Sequence, residues 1–289
     1  MAAGGLQRLK RRIRSVENTR QITRAMKLVA GAKLRRAQER AERSRAYFRT
    51  MQSVMARAAS RISGGFHHPM LVARPVRTAA WVVVTSDRGL AGPFNSNLIR
   101  FTTGRMQEET AHKAVFAVGR KARDAYRRRA VPVLEEFTQL GDDPHYYQAK
   151  AIADAIIHRY MAGEVDRVEL VYSHFVNAMV QRPVAVQLLP VVPPEASAAR
   201  GDNAAQYLYE PDAETVLSHL LPRYVEVLVY GALLESKASE HGARMTAMDA
   251  ATKNSEELLR RMTLLRNQMR QAAITKEIAE LVGGAAALE

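Results

Sequence analysis

Apolar side chains recur at steps of three and four residues in two long stretches at the ends of the chain. Between about Gly5 and Ile62 there is no proline, and the apolar positions form one stripe along a helix. From Arg223 to Val282 the same spacing returns, again without proline. A seam of this kind is typical of a coiled coil. Because alanines and a serine make the first seam weak, that helix is predicted to need a partner, and the second helix supplies it.

The apolar positions also predict which residues form each seam. The N-terminal seam is Leu6, Leu9, Ile13 and Val16, then after a phase shift Thr19, Ile22, Met26 and Val29, then Leu34, Ala37, Ala41, Ser44, Phe48, Met51, Met55, Ala58 and Ile62. The C-terminal seam is Leu234, Ala238, His241, Met245 and Met248, then after one shift Leu258, Met262, Leu265 and Met269. His241 on this seam is interpreted as a packed histidine rather than a ligand. Pro222 removes a backbone hydrogen bond, so we expect the helix to bend or restart near Arg223.

Between the two helical stretches, from about Val76 to Pro194, short β-rich runs alternate with helical runs. The predicted strands are Ala79–Thr85, Ala114–Val118, Val133–Phe137, Arg167–His174 and Val184–Leu189, and the predicted helices are Asn95–Gln107, Arg120–Arg129 and Pro144–Met161. Alternation of this kind predicts an α/β layer with a mostly parallel sheet. Because this domain separates the two terminal helices, they are expected to pair antiparallel. The predicted divisions are residues 1–65, 76–195 and 211–289.

The loop from Ser86 to Pro93 follows the first predicted strand and opens a helix. A glycine-bearing loop at a helix N-terminus can hold phosphate. However, the chain contains neither G-x-x-x-x-G-K-[ST] nor G-x-G-x-x-G. A structural turn is therefore favoured over a nucleotide site.

The positive charge of the chain is concentrated at its N-terminus. Residues 1–62 contain seventeen Lys and Arg but three acids, which accounts for the whole net charge of +14. Such a segment implies an acidic partner: nucleic acid, a membrane surface or an acidic protein. The chain has no cysteine, which excludes disulfides and thiolate metal sites. It has no apolar run of the roughly 18 residues that a membrane span needs, and its basic N-terminus lacks the apolar core of a secretory signal.

The last residues, Gly283 to Ala287, carry almost no side-chain bulk. Two adjacent glycines weaken a helix by roughly 1 kcal/mol each, so local stability does not explain them. A slim apolar end suits a helix that fits inside a narrow sleeve, and the alternative is a frayed tail.

Several separated motifs, in order, give the chain a resemblance to a known family. The pattern Ile274-Thr275-x-Glu277-x-x-Glu280-x-x-x-Gly284-Ala285 closely resembles the C-terminal signature of the gamma subunit of F-type ATP synthases. The other matching segments are IRSVENTRQITRAMKLVAGAKLRR at 13–36, TSDRGLAGPFN at 85–95, YLYEP at 207–211 and R-M-x-A-M at 244–248. The chain departs from the family at Ala91, where Cys is frequent, at Pro93, where Gly is frequent, and at Pro222, where a basic residue is expected.

The resemblance implies a fold and a role. The fold is a long antiparallel coiled coil of the N- and C-terminal helices plus a central Rossmann-like α/β domain that binds no nucleotide. The role is the central-stalk rotor, which transmits torque between the proton-driven membrane c-ring and the catalytic ring of alpha and beta subunits, with the epsilon subunit alongside. It implies no catalytic residue, cofactor or metal, and a peripheral location on the cytoplasmic face of a bacterial cell membrane.

The resemblance also assigns a set of subunit contacts. The predicted contact residues are Met26, Lys27, Lys33, Arg35, Arg36, Arg270, Gln271, Thr275, Glu277, Glu280, Gly284 and Ala285. The bases of the first helix are expected to attract acidic loops of the beta subunit, and Arg270 and Gln271 to touch a loop of one beta subunit. The alternative for the C-terminal set is an ordinary helix surface with intrahelical pairs such as Lys276–Glu280.

Two other functions fit part of the sequence pattern. A nucleic-acid-binding coiled coil would use the basic helix, but the bases run alongside the seam and the α/β domain would have no role. An α/β enzyme with helical arms would need a pocket of convergent polar groups, which the sequence does not indicate.

Overall fold

The computed structural model describes residues 2–60, 68–192 and 212–286 and divides into two compact units. The larger unit is Ala30–Arg244, and the smaller combines Met1–Val29 with Met245–Glu289. Helices α1 (Ala2–Ser60) and α5 (Ala213–Ala286) contribute residues to both units.

The larger unit contains the α/β layer. Its remaining elements are β1 (Thr78–Val84), α2 (Phe94–Glu108), β2 (His112–Val118), α3 (Arg120–Arg128), β3 (Val133–Phe137), α4 (Tyr146–Met161), β4 (Arg167–Phe175) and β5 (Gln181–Leu189). The sheet order is β3-β2-β1-β4-β5. All neighbouring strands pair parallel except β4 and β5, which are antiparallel. The predicted mostly parallel sheet is confirmed.

Strand β1 is central and almost wholly buried, as the continuous apolar run TAAWVVV requires of a strand covered on both faces. Its side chains alternate between two apolar clusters. Ala80, Val82 and Val84 pack with residues of α4 and with Met55 and Leu217 of the terminal helices. The alternate residues, including Trp81, pack with α2 and α3. Helices therefore cover both faces of the sheet.

Helix α5 runs through Pro222 without interruption. The expectation of a restart near Arg223 was wrong. Burial explains the continuity, because Leu221, Val225 and Val229 are fully buried in the apolar cluster on both sides of the proline. Tertiary packing of this kind outweighs the loss of one backbone hydrogen bond.

In the smaller unit, the segments of α1 and α5 pair antiparallel. The hydroxyls of Thr23 and Thr252 lie 2.9 Å apart, and Lys27 Nζ lies 2.6 Å from Asp249 Oδ1. Near the start of α1, a Cβ added at Gly5 would lie 3.1 Å from Met269 Cε. The residue number on α5 falls as that on α1 rises, which is the signature of antiparallel pairing.

The seam keeps one phase throughout the smaller unit. Its buried and half-buried members are Leu6, Leu9, Ile13, Val16, Arg20, Thr23 and Lys27 on α1, and Met248, Thr252, Ser255, Leu259, Met262, Arg266, Met269 and Ala273 on α5. These positions alternate strictly between steps of three and four residues. The predicted phase shifts were therefore wrong.

Six predicted seam members in this unit lie outside the seam, and one of them, Met26, is half-buried. The other five are Thr19, Ile22 and Val29 on α1 and Leu258 and Leu265 on α5, all exposed. The seam positions are instead occupied by small polar or ion-paired residues, which fix the register between α1 and α5. The predicted seam members of the larger unit are buried or half-buried, apart from Ile62, which lies outside the described residues.

Candidate functional site

The middle of the smaller unit's seam is held by polar contacts. Thr23 and Thr252 are each 8% exposed. Thr23 donates to the Arg20 carbonyl, and the single hydroxyl proton of Thr252 can go either to Thr23 Oγ1 at 2.9 Å or to the Met248 carbonyl at 2.8 Å. Asp249 accepts from Lys27 and Lys253, and these hydrogen bonds hold the pKa of its carboxyl below its ordinary value. Lys27, predicted to meet an acidic loop of another subunit, therefore already has a carboxylate partner within its own chain.

Apolar side chains face solvent next to this polar seam. Ile22 is 59% exposed and Val29 is 53% exposed, and they lie seven residues apart on one face of α1. We call these two residues the outward apolar pair. On α5 the exposed apolar residues of the smaller unit are Leu258, Leu264, Leu265, Ile274, Ile278, Leu281 and Val282. Exposed apolar residues in such number mark a surface that another protein covers. Met26, also predicted as a contact, is half-buried.

The predicted basic contact residues of the larger unit differ in availability. Lys33 Nζ lies 2.6 Å from Asp142 Oδ2, in the loop between β3 and α4. Arg35 pairs with Glu39 one turn along the helix. Arg36 is exposed and makes no side-chain contact with an acid among the described residues. Of these three bases, Arg36 is the one whose charge no acid of the described residues neutralises.

The predicted C-terminal contact residues lie on one continuous helix. Arg270, Gln271 and Thr275 are exposed on α5, and Thr275 lies about one turn beyond the adjacent Arg270 and Gln271. Helix α5 continues through Gly284 and Ala285 to Ala286, while Ala287 to Glu289 lie outside the described residues. For Glu277, Glu280, Gly284 and Ala285, the structure describes the helical backbone and no side-chain surroundings.

The loop Ser86–Pro93 is tied down by its own side chains. One Asp87 oxygen accepts from the backbone N–H of Arg120 at the start of α3, and the other accepts from Gln139 N–H, at 3.0 and 2.9 Å. Ser86 N–H donates to Asn95 Oδ1 at 3.0 Å. The Asp87 carboxylate thus accepts hydrogen bonds from backbone N–H groups at the carboxyl ends of parallel strands, where nucleotide phosphates bind in related folds. The geometry favours the structural turn.

Sequence reasoning missed the acidic partners of the basic helix. Asp142 pairs with Lys33, Asp143 with Arg40, and Asp249 with Lys27. One signal could have found Asp249. Once the helices are set antiparallel in a single register, Thr23 faces Thr252, and about one turn further along Lys27 comes beside Asp249, which flanks the seam position Met248. The loop acids carry no such signal, because their position depends on the folded sheet.

Two other features are absent from the described parts of the chain. Within those residues, no group of three His, Cys, Asp or Glu side chains is placed to hold a metal ion. The described helices also include none that is long and apolar enough to cross a membrane.

Comparison with known protein families and sequences gives a consistent result. The family model described as "ATP synthase" matches residues 5–288. The ATP synthase gamma chain of Pelotomaculum thermopropionicum is 51% identical over 98% of this chain and 99% of its own length. That of Desulforamulus reducens is also 51% identical, over 97% of this chain and 98% of its own.

Solved structures share the fold. The central stalk and c-ring structure of the Tetrahymena thermophila mitochondrial ATP synthase contains a chain that is 25% identical, with a TM-score of 0.60. The match covers 80% of the chain described here and 99% of the other. A chain of the Euglena gracilis mitochondrial ATP synthase matches 99% of this chain and 95% of its own, with a TM-score of 0.69 at 18% identity.

Proposed function

The chain belongs to the ATP synthase gamma-chain family, and from that membership we propose how its surfaces serve a central stalk. It is the rotor of an F-type ATP synthase, the shaft that links a membrane c-ring to a ring of alpha and beta subunits. The main support is that bacterial gamma chains are 51% identical to this chain over nearly the whole length of both sequences. Nothing in the comparisons favours the nucleic-acid-binding alternative.

The coiled coil of the smaller unit supplies the asymmetry that a rotor needs. The outward apolar pair lies on one face of α1, and exposed bases such as Arg24 lie on its other faces. A ring of like subunits around such a shaft meets different chemistry on different sides. A rotor surface can shift a neighbour's conformational equilibrium only through differential contacts with its states, and unequal faces provide them.

The proposed contact set divides into three groups. Arg36, which has no acidic partner in the part of the chain that the structure describes, would attract an acidic loop of the beta subunit. Arg270 offers a planar fork of donors to a carboxylate, and Gln271 can both donate and accept. Thr275, Glu277 and Glu280 extend this group along the helix.

The third group is the small-residue end of α5, which includes Gly284 and Ala285. We assign it to a bearing inside an apolar sleeve of the ring, because small side chains leave few projections to interlock with the wall. The two terminal helices (1–65 and 211–289) then act as the shaft, and residues 76–195 form a body that meets the c-ring and the epsilon subunit.

The chain itself performs no bond chemistry in this proposal. Support comes from the Asp87 carboxylate, which already accepts hydrogen bonds from the backbone N–H groups at the strand ends that a phosphate would need. The complex supplies the membrane attachment, and the proposed location is the cytoplasmic face of a bacterial cell membrane. Catalysis is assigned to the surrounding ring.

Purification of the native complex tests the proposal. A tagged chain is expected to leave cells bound to a large ring ATPase, and the purified chain alone is expected to hydrolyse no ATP. Recovery of the tagged chain without any ATPase partner would reject the rotor role. Turnover by the isolated chain that survives removal of every alpha and beta subunit would reject the non-catalytic assignment.

A further inference from the structure

A basic cavity lies within the larger unit, between α1, α5 and the loop that joins β3 to α4. It is lined by Lys33, Arg36 and Arg40 of α1, by Lys237 and His241 of α5, and by the loop acids Asp142 and Asp143, among others. Its volume is about 210 Å³. That exceeds the ~150 Å³ of an engineered cavity that admits benzene. The cavity can therefore hold a small ion together with bridging water. We call it the α1–α5 cavity.

The charges lining the α1–α5 cavity leave an excess of positive charge. Four bases face two acids, and both acids are already paired, Asp142 with Lys33 and Asp143 with Arg40. Lys237 lies 3.1 Å from Glu240, which also accepts from Arg244. The Arg36 guanidinium has no acidic partner in the described chain. The cavity thus offers donors and positive charge that its own acids do not use.

His241 adds an unused donor to this cavity. The side chain is 1% exposed, and its Nε2 is buried without a hydrogen-bond partner among the described residues. Arg244 Nη1 lies 3.5 Å from Nδ1, and because a guanidinium can only donate, Nδ1 acts as the acceptor. Burial lowers the pKa of His241 to about 4, so the ring is neutral near pH 7.

A neutral ring whose Nδ1 accepts must carry its proton on Nε2. The Nε2–H group therefore needs an acceptor. Asp142 Oδ1 lies 3.9 Å away, beyond hydrogen-bond distance. A buried donor without an acceptor is costly to leave unsatisfied, and a negatively charged oxygen is the strongest acceptor that could fill this position.

We propose that the α1–α5 cavity binds a tetrahedral oxyanion, a phosphate ion or the phosphate group of a nucleotide. His241 Nε2–H donates to one oxygen, and Arg36 supplies a positive charge that no carboxylate of the described residues neutralises. The site lies on the α/β-bearing unit of the chain and is separate from the C-terminal contact group. If the cavity binds no oxyanion, the rotor assignment is unchanged.

The full chain, labelled with ¹⁵N at histidine, provides a direct test at pH 7. Inorganic phosphate is titrated at constant ionic strength with chloride as the balancing anion, and the His241 Nε2 resonance is followed, assigned by its loss in His241→Gln. A saturable shift is expected. Arg36→Ala is expected to raise the titration midpoint about tenfold, the effect of losing one charge-assisted hydrogen bond.

Arg43→Ala is the matched control, because Arg43 occupies the same heptad position seven residues later, is exposed and does not line the cavity. Its midpoint is expected to equal that of the unmodified chain. No saturable shift up to about 50 mM phosphate, a range that fills even millimolar sites, would overturn the proposal. Equal weakening by both Arg variants would also overturn it, since that result indicates general attraction rather than a site. A parallel ADP titration identifies the source: saturation at lower concentration than phosphate assigns the site to a nucleotide, and saturation by phosphate alone assigns it to the free ion.

Discussion

The outward apolar pair gives the sharpest test of the corrected seam and of the rotor proposal together. The change is Ile22→Thr with Val29→Thr, which keeps both side chains β-branched and alters helix propensity little. If these residues lay in the seam, as their hydrophobicity suggests, the double variant would lose stability. If they face a partner, as their exposure of 59% and 53% indicates, the loss should appear in binding instead.

The magnitudes follow from the burial of each side chain. Exposed substitutions usually change stability by within about 0.5 kcal/mol each, so the isolated chain should lose at most about 1 kcal/mol. Fully burying an Ile or Val contributes about 1.5–3 kcal/mol, and roughly half of that surface is still available to a partner. The pair should therefore contribute about 1.5–3 kcal/mol to binding the alpha/beta ring, which corresponds to a 10- to 140-fold loss of affinity in the variant.

Two measurements on one preparation separate these outcomes. Urea unfolding reports the free energy of unfolding of the chain, and titration of a labelled chain with a gamma-free alpha/beta complex reports its affinity. Met161→Thr is the control, because Met161 is 49% exposed at the end of α4 and lies outside the coiled coil. A loss of more than about 2 kcal/mol in unfolding free energy, or an affinity loss no larger than that of the control, would refute the reasoning.

Four further outcomes are expected. Arg36→Glu should weaken assembly with the ring while leaving the melting temperature unchanged, because it breaks no ion pair among the described residues; a matched fall in melting temperature would contradict this. Gln271→Leu should lower steady-state ATP turnover of the assembled complex at an unchanged melting temperature, and equal turnover would reject the timing contact. Gly284→Trp with Ala285→Trp should impair rotation or assembly, whereas normal rotation would show that the tip is only a tail. The pKa of His241 is lowered to about 4, below the 6.5 of the unfolded side chain. The contribution of the neutral His241 ring to the free energy of unfolding should therefore be fully present above pH 6.5. It should be lost as the pH falls toward 4, which lowers the free energy of unfolding by about 3 kcal/mol in total. His241→Gln should remove this pH dependence, as measured by unfolding the chain at a series of pH values.

The strands and the layered α/β architecture could be predicted because each is encoded locally. Continuous apolar runs such as Ala79–Val84 leave few alternatives to a buried parallel strand, and β3 was predicted residue for residue. The seam was predictable at most of its apolar positions, but not at Leu259, which is buried beside the equally apolar and exposed Leu258. The prediction of the seam also failed where Thr23 and Lys27 occupy seam positions near the more hydrophobic Ile22 and Val29.

The cause of that failure is that hydrophobicity is a property of single residues, whereas register is a property of the paired helices. Thr23 can be buried because Thr252 lies opposite, and the half-exposed Lys27 can occupy a seam position because Asp249 pairs with its charge. The candidate site divides in the same way. Its members could be named from motifs, but the pairing of Lys33 with Asp142 depends on a loop of the folded sheet.

The polar stretch of the seam has a mechanical consequence. Between Val16 and Lys27, the contacts across the helices come from hydroxyls and an ion pair, with little apolar area interlocked. Few buried apolar contacts make a segment easier to deform locally. Under torque, the two helices would therefore wind and unwind about each other most readily in this stretch. A shaft with one such compliant segment holds part of each step as elastic strain and releases it smoothly, so the motor at one end and the catalytic sites at the other need not advance in steps of equal size.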